Sequence, residues 1–260
     1  RRGERIFYSG NTGEPAAFPL AGDFWMSCAS CHNDGGQGGR VWGMTGFGEG
    51  LRNTIALNGR AGRAHGFLHW SGNFDEVQDF EKQIRDLAGG SGLMNDADFN
   101  TGTRNQPLGD RKAGISAPLD QLPAYLGSLR NFPPSVYRNL DGSLTQAATA
   151  GKTVFANQCS SCHGGTAFTI SSGAGALKNI GTINSETGRR LGAPITGLDI
   201  PTLRDVWATA PYLHNGSART LRAAVQAHKT VRLSATDLAN VVSYVQQIGN
   251  AEAAAPSSPT

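Results

Sequence analysis

The chain has 260 residues, with 23 Lys+Arg against 20 Asp+Glu for a net charge of +3, 38% hydrophobic residues and 35 Gly. That length fits one large or two small globular domains, and the composition excludes collagen, a coiled coil and charge-rich disorder. No run of about 18 apolar residues is available to span a membrane, and the dispersed charges form no basic patch, so nucleic acid is not an expected partner.

The chain opens on Arg1-Arg2-Gly3-Glu4-Arg5 with no apolar stretch behind it that reads as a signal segment, so it is read as a mature protein or as a piece of a longer one. Gly3-Glu4-Arg5-Ile6-Phe7 leads, after 20 residues, to Cys28-Ala29-Ser30-Cys31-His32. The same pattern returns as Cys159-Ser160-Ser161-Cys162-His163, so all four cysteines and two of the six histidines fall in two copies of one motif. Two thiols three residues apart suit thioether bonds to one haem, and the following imidazole is then carried beneath the iron. A four-cysteine zinc site, a thioredoxin-like redox pair and two disulfides are the competing readings. The 127 residues between the pairs are far more than zinc spacing needs, and neither zinc nor redox chemistry accounts for a His after each second Cys. Two covalent haems c, with His32 and His163 as proximal ligands, are the expectation. They imply assembly outside the cytoplasm and leave no Cys for a disulfide.

Leu51-Arg52-Asn53 and Phe67-Leu68-His69-Trp70-Ser71-Gly72 follow the first motif. The stretch from Phe74 to Ile84 reads as helical, with Glu76, Asp79 and Glu81 on a solvated face. Leu119, Leu122, Leu126 and Leu129 suggest a helix after Ser116-Ala117, which Pro123 should shorten or kink. Asn131-Phe132-Pro133-Pro134 and Asp141-Gly142-Ser143 mark a boundary, and Thr145 is placed to cap the helix leading to Cys159.

The second half answers the first. Gly151-Lys152-Thr153-Val154-Phe155 matches the opening segment, Leu203-Arg204-Asp205 matches Leu51-Arg52-Asn53, and Leu213-His214-Asn215-Gly216 falls opposite His69-Trp70-Ser71-Gly72. Leu238, Val241, Val242, Val245 and Ile248 recur at helical spacing after Ser234-x-x-Asp237, with Gly249 as a stop. Ala253 to Thr260 has linker composition and is expected to be disordered or to lead elsewhere.

The segment from Ile200 to Leu221, Ile-Pro-Thr-Leu-Arg-Asp-Val-Trp-Ala-Thr-Ala-Pro-Tyr-Leu-His-Asn-Gly-Ser-Ala-Arg-Thr-Leu, resembles the signature of bacterial di-haem cytochrome c peroxidases. Their superfamily includes di-haem enzymes that mature a tryptophan-derived quinone and di-haem rubber oxygenases. The resemblance runs from Gly3 to Ile248. It implies an all-α, loop-rich fold of two cytochrome c-like haem domains in tandem, with short helices packed on each haem. The expected divisions are a reactive N-terminal domain over 1–132, a linker over 133–150, an electron-relay domain over 151–250 and a tail over 251–260.

Several residue roles follow from the resemblance alone. The relay haem's sixth ligand lies 12 residues after the Gly of Pro-Tyr-x-His-x-Gly, which in this chain is His228 in place of Met or Tyr. Trp70 takes the position of the electron bridge between the haems, and His69 that of a residue facing the reactive iron as ligand, acid-base group or structural histidine. Met44 and His65 are the other candidates for that ligand. Asn53, Thr209 and Pro211 fall on a calcium site, and Arg52 and Arg204 are candidates to pair with haem propionates. The Glu that serves peroxide cleavage, about 20 residues after the Trp, has no counterpart at Gly89 and Gly90.

These readings imply an electron-transfer oxidoreductase, with a peroxide-reducing or O2-dependent activity at the first haem, or service to a larger enzyme, as alternatives. The expected setting is the periplasm or cell surface of a Gram-negative bacterium. The expected partner is a redox donor such as a small cytochrome c or cupredoxin, with the chain acting as a homodimer or as part of a larger chain.

Overall fold

The structure, a computed structural model, describes residues 1–11, 19–59, 66–132, 134–172 and 176–257. Seven α-helices appear among them: α1 (Arg2–Tyr8), α2 (Phe80–Asp86), α3 (Asp96–Phe99), α4 (Ala117–Leu126), α5 (Gln146–Gln158), α6 (Leu221–Gln226) and α7 (Ala235–Val245). Loops and 3₁₀ turns connect them. The fold is helix-rich but not purely α. Strands β1 (Val41–Gly43) and β2 (Leu51–Asn53) form one antiparallel hairpin, and β3 (Arg189–Arg190) and β4 (Ala193–Pro194) form a second. The sequence gives them little β signal, because at two or three residues they are set by glycine turns.

Two apolar cores form, each around a crossed pair of helices. In the first, α1 lies on α4, and Ile6 and Phe7 are buried with Leu119, Leu122 and Leu126. In the second, α5 lies on α7, and Phe155 is buried with Val241, Tyr244, Val245 and Ile248. The crossings share one geometry. A Cβ on Gly3 would lie 1.9 Å from the Gln121 carbonyl oxygen, and a Cβ on Gly151 would lie 1.9 Å from that of Asn240. Only glycine permits so close an approach. One turn on, Phe7 meets Tyr125 and Phe155 meets Tyr244, both with ring centres 5.3 Å apart.

Helix caps follow the sequence. The hydroxyls of Ser116, Thr145 and Ser234 accept from the amides of Leu119, Ala148 and Asp237. Pro123 stays inside α4 without ending it: the ten-residue helix runs on to Leu126, held by its buried leucine face. Helix α7 ends at Val245, short of Gly249.

Two expectations are corrected. Glu76, Asp79 and Glu81 do not form a solvated face. Asp79 and Glu81 are buried, Asp79 paired with the Lys112 ammonium at 2.6 Å and Glu81 with Arg85 at 2.8 Å. Glu81 also accepts from the amides of Leu93 and Met94, and Glu76 from those of Lys112 and Ala113, so these carboxylates tie loops to the core. The C-terminal tail, expected to be disordered, is packed through residue 255. Glu252 is buried and accepts from Arg138 at 2.9 Å and Lys152 at 2.7 Å, and the Ala255 amide donates to Gly165. No helix of the described residues is long and apolar enough to cross a membrane.

The halves meet along a polar seam. Arg52 donates to the Thr187 carbonyl, Arg190 to those of Ser71 and Gly72, and the Asn53 amide to that of His214. Both hairpins and the Trp70 loop lie on this seam, which fixes one half against the other.

Candidate cofactor centres at the seam

The two Cys-x-x-Cys-His motifs open into different cavities. Cys28, Cys31 and His32 line one of about 210 Å³, and Cys159, Cys162 and His163 line one of about 400 Å³. That separation removes the four-cysteine zinc reading. All four thiols are free, which removes disulfides. Burial pushes Cys28 and Cys159 up to about 11 and raises Cys31, the opposite of the lowered thiol of a redox pair.

Each motif is a tight turn. The His32 amide donates to the Cys28 carbonyl at 3.0 Å and the His163 amide to that of Cys159 at 2.9 Å, so each imidazole comes off directly beneath its thiols. In the larger cavity, His163 and His228 lie with ring centres 6.5 Å apart and planes tilted by 57°. Nδ1 of His163 is bonded to the Phe168 carbonyl at 3.3 Å, and Nδ1 of His228 to that of Ala224 at 2.9 Å. A carbonyl only accepts, so Nδ1 carries the proton and Nε2 the lone pair in both rings. Burial, then the nearby His228, holds His163 down to about 4, and burial lowers His228.

The spacing tests the fit of a haem iron. Two metal–nitrogen bonds of about 2 Å and two ring radii of about 1.2 Å put ring centres roughly 6.4 Å apart. The observed 6.5 Å matches. The donor set of each cavity, two thiols and an imidazole in an apolar wall, suits a c-type haem.

In the smaller cavity His69 has a positive φ of 64° and its ring lies between Phe74 and Phe80, with ring centres 4.5 and 5.1 Å away. Its Nδ1 is 2.7 Å from Asn73 Oδ1 and its Nε2 3.3 Å from Gln83 Nε2. Burial lowers its pKa. Met44 lines the same cavity, and His65 lies outside the described residues. Glu49, Asn73 and Gln83 carry no motif, and sequence reasoning missed them.

Trp70 and the strip Asn53–Ala56 line both cavities, forming a common wall. The indole Nε1 donates to the Asn53 carbonyl at 2.8 Å, and the Trp70 carbonyl accepts from the Asp199 amide at 2.8 Å. His214, which the sequence placed in the repeat without a role, lies across the indole at 6.5 Å with its Nδ1 buried and without a hydrogen-bond partner. Asp199 lines the larger cavity, and burial raises its carboxyl to about 7.

Arg52 lines the smaller cavity and is bound to Glu49 and to the carbonyls of Leu51 and Thr187. Arg204 is corrected: Leu203 and Val206 line the larger cavity, whereas Arg204 turns away to the carbonyls of Thr166, Gly249 and Ala253 and over the Phe168 ring. It fastens the tail. At the expected calcium position Asn53 Nδ2 donates to the Pro211 carbonyl at 2.5 Å and Asn53 Oδ1 accepts from Gln37 at 2.8 Å, while the Thr209 hydroxyl turns to Val206. The site residues meet through neutral hydrogen bonds with no carboxylate. Among the described residues no group of three or more His, Cys, Asp or Glu is placed to hold a metal ion.

Residues 197–233, which hold the Pro-Tyr-x-His-x-Gly element and His228, match the RoxA-like, cytochrome c-like family. The chain is 30% identical over 246 residues to the hydrazine synthase subunit gamma of Kuenenia stuttgartiensis, covering 79% of this chain and 64% of that protein. The chain thus spans a little under two thirds of that relative's length. In fold it is similar to a chain of the K. stuttgartiensis hydrazine synthase (TM-score 0.63, 20% identity, 95% of this chain and 86% of that one). It is also similar to a MauG-like protein associated with microbial copper homeostasis (0.61, 20%, 95% and 87%) and to the di-haem peroxidase BthA of Burkholderia thailandensis (0.57, 17%, 96% and 85%). The chain thus shares its fold with a MauG-like protein and a di-haem peroxidase, and its residues 197–233 match a cytochrome c-like family.

Proposed function

We propose that the chain is a di-haem electron-transfer oxidoreductase, with one haem c on Cys28, Cys31 and His32 and a second on Cys159, Cys162, His163 and His228. One observation carries this reading: Trp70 and Asn53–Ala56 form the wall common to both cavities, and each cavity holds a second imidazole besides that of its motif, His69 in one and His228 in the other. When bound, the haems supply one-electron redox chemistry. His32 and His69 in one cavity and His163 and His228 in the other would present imidazoles to the haems, and Trp70 would stand in the wall between them. Arg52, in the wall of the first cavity, is the side chain suited to a haem carboxylate.

Two domains, 1–132 and 151–250 joined by 133–150, belong to this proposal and are supported by the repeated glycine crossings. So do an exported setting, consistent with thioether-bound haem, and a small redox protein as donor. A calcium ion at Asn53, Thr209 and Pro211 is a further part that rests on the sequence resemblance alone, since Asn53 and Pro211 are joined by their own hydrogen bond and Thr209 turns to Val206. Chelation that leaves both haems' spectra and the stability unchanged would remove it.

A second reading, peroxide or O2 chemistry at the first haem, is favoured by the Gln83 amide on His69 Nε2, which would hold the imidazole off the iron. A role within a larger enzyme is supported by the similarity to a protein named as a synthase subunit.

The deciding experiment is the ferric absorption and EPR spectrum of the holoprotein and of its His69→Ala variant. Two low-spin signals, one turning high-spin in the variant, support electron transfer through two closed haems. A high-spin signal already present in the unaltered protein sinks that reading and favours the second.

A further inference from the structure

Glu49 is placed on the wall of the first cavity, with its side chain 14% exposed, and belongs to no motif. Its Oε1 accepts from Ser71 Oγ at 2.9 Å and from Asn73 Nδ2 at 2.7 Å, and its Oε2 accepts from Arg52 Nε at 3.1 Å. Asn73 Oδ1 then lies 2.7 Å from Nδ1 of His69. The order of these groups has a logical direction. A carboxylate beside a guanidinium only accepts, so the side of Asn73 that faces it must be the NH2. The Asn73 oxygen is then turned to His69 and in its turn only accepts, so Nδ1 of the imidazole must carry the proton. A neutral ring has one such proton, and the lone pair is left on Nε2. The Gln83 amide at 3.3 Å donates to that lone pair, which agrees with the tautomer and means that Gln83 must give way for Nε2 to reach the iron.

We propose that Glu49 is a positioning residue that acts through Asn73 to fix the His69 tautomer, so that Nε2 is presented as a ligand to the iron held at Cys28, Cys31 and His32. The inference rests on the reading of His69 as a haem ligand. It deepens that reading by assigning the residue that makes His69 competent. A ligating imidazole whose N–H is held by an oriented acceptor is a better donor, and loss of such support weakens metal bonds about 10- to 100-fold. Arg52 also binds the Thr187 carbonyl, so the alignment of Glu49 is tied to the seam between the halves.

The test uses the full holoprotein, with ferric EPR and the reduction potential of the first haem as readouts and the second haem as an internal reference. Glu49→Gln lets Asn73 flip, because an amide both donates and accepts. Asn73→Leu removes the acceptor and keeps the Glu49–Arg52 pair, so it carries the test if Glu49→Gln accumulates poorly. Both should loosen the Nε2–iron bond by about 10- to 100-fold, seen as a high-spin fraction and a raised potential at the first haem only. In the Glu49→Gln background, Asn73→Asp again places an acceptor-only group against Nδ1 and should restore the low-spin signal. If His69→Ala turns the first haem high-spin while Glu49→Gln and Asn73→Leu leave it unchanged, the assignment of Glu49 is overturned and the ligand stands. If His69→Ala changes nothing, the ligand reading itself fails.

Discussion

His163 and His228 lie with ring centres 6.5 Å apart and planes tilted by 57°, each with its Nδ1 tied to a main-chain carbonyl. The tether sets both lone pairs toward the space between them. An imidazole in place of a thioether favours the ferric state, so His228→Met should raise the potential of the second haem and leave the first unmoved. Spectroelectrochemical titration checks this, and an unchanged second potential would exclude His228 as a ligand.

Trp70 gives a rate prediction. Its indole is in both cavity walls and is pinned by its bond to the Asn53 carbonyl. Both variants give up the indole hydrogen bond, worth about 1 kcal/mol, but Trp70→Phe keeps an aromatic ring whereas Trp70→Ala opens the wall. After rapid photoreduction of one haem, equilibration should slow modestly in the Phe variant and much more in the Ala variant. Equal rates in all three proteins would mean electrons take another route.

Asp199 sets a pH dependence. Burial raises its carboxyl from 3.8 to about 7, while the Ser171 hydroxyl bond pulls the other way. Between about pH 4 and 7 the unfolded chain has released this proton and the folded chain has kept it, so stability falls as pH rises through that window. His214 works in the opposite sense. Burial, then Arg52, holds it down to about 4, and stability gains from it between about pH 4 and 6.5. The Asp199→Asn variant isolates the first effect: relative to the unaltered protein it should gain up to about 4 kcal/mol from pH 4 to 7 in urea unfolding. A flat difference curve would show that Asp199 titrates normally.

The helix crossings predict a stability pattern. Gly3→Ala and Gly151→Ala each drive a methyl to 1.9 Å from a carbonyl oxygen and should cost about 1–3 kcal/mol despite the better helix propensity of Ala. Gly46, with open space where a Cβ would stand, is the control. Gly46→Ala should unfold at nearly the same urea concentration as the unaltered protein, and equal losses at all three sites would argue against the crossing as the cause.

The motifs, the repeat and the capped helices were legible in the sequence, because each depends on spacing along one stretch of chain. The acidic run from Glu76 to Glu81 was misleading, since an i, i+3 pattern of carboxylates looks solvated unless the distant Lys112 that buries with Asp79 is known. Arg204 was misleading for the same reason: its acceptors are main-chain carbonyls, which leave no mark in a sequence. Glu49 and Asn73 escaped notice because they meet His69 only once the loops of the first half are folded.

The glycine crossings also bear on how the molecule is made. In each half the first crossing helix and the Cys-x-x-Cys-His turn leave the ribosome early, whereas α4 and α7, which close the two cores, follow about 90 and 75 residues behind their motifs. Closing loops of that length is slow relative to local helix formation. The thiols of each motif are therefore accessible on an open chain before its closing helix arrives. A haem carried on either motif would be in place before its half condenses around it.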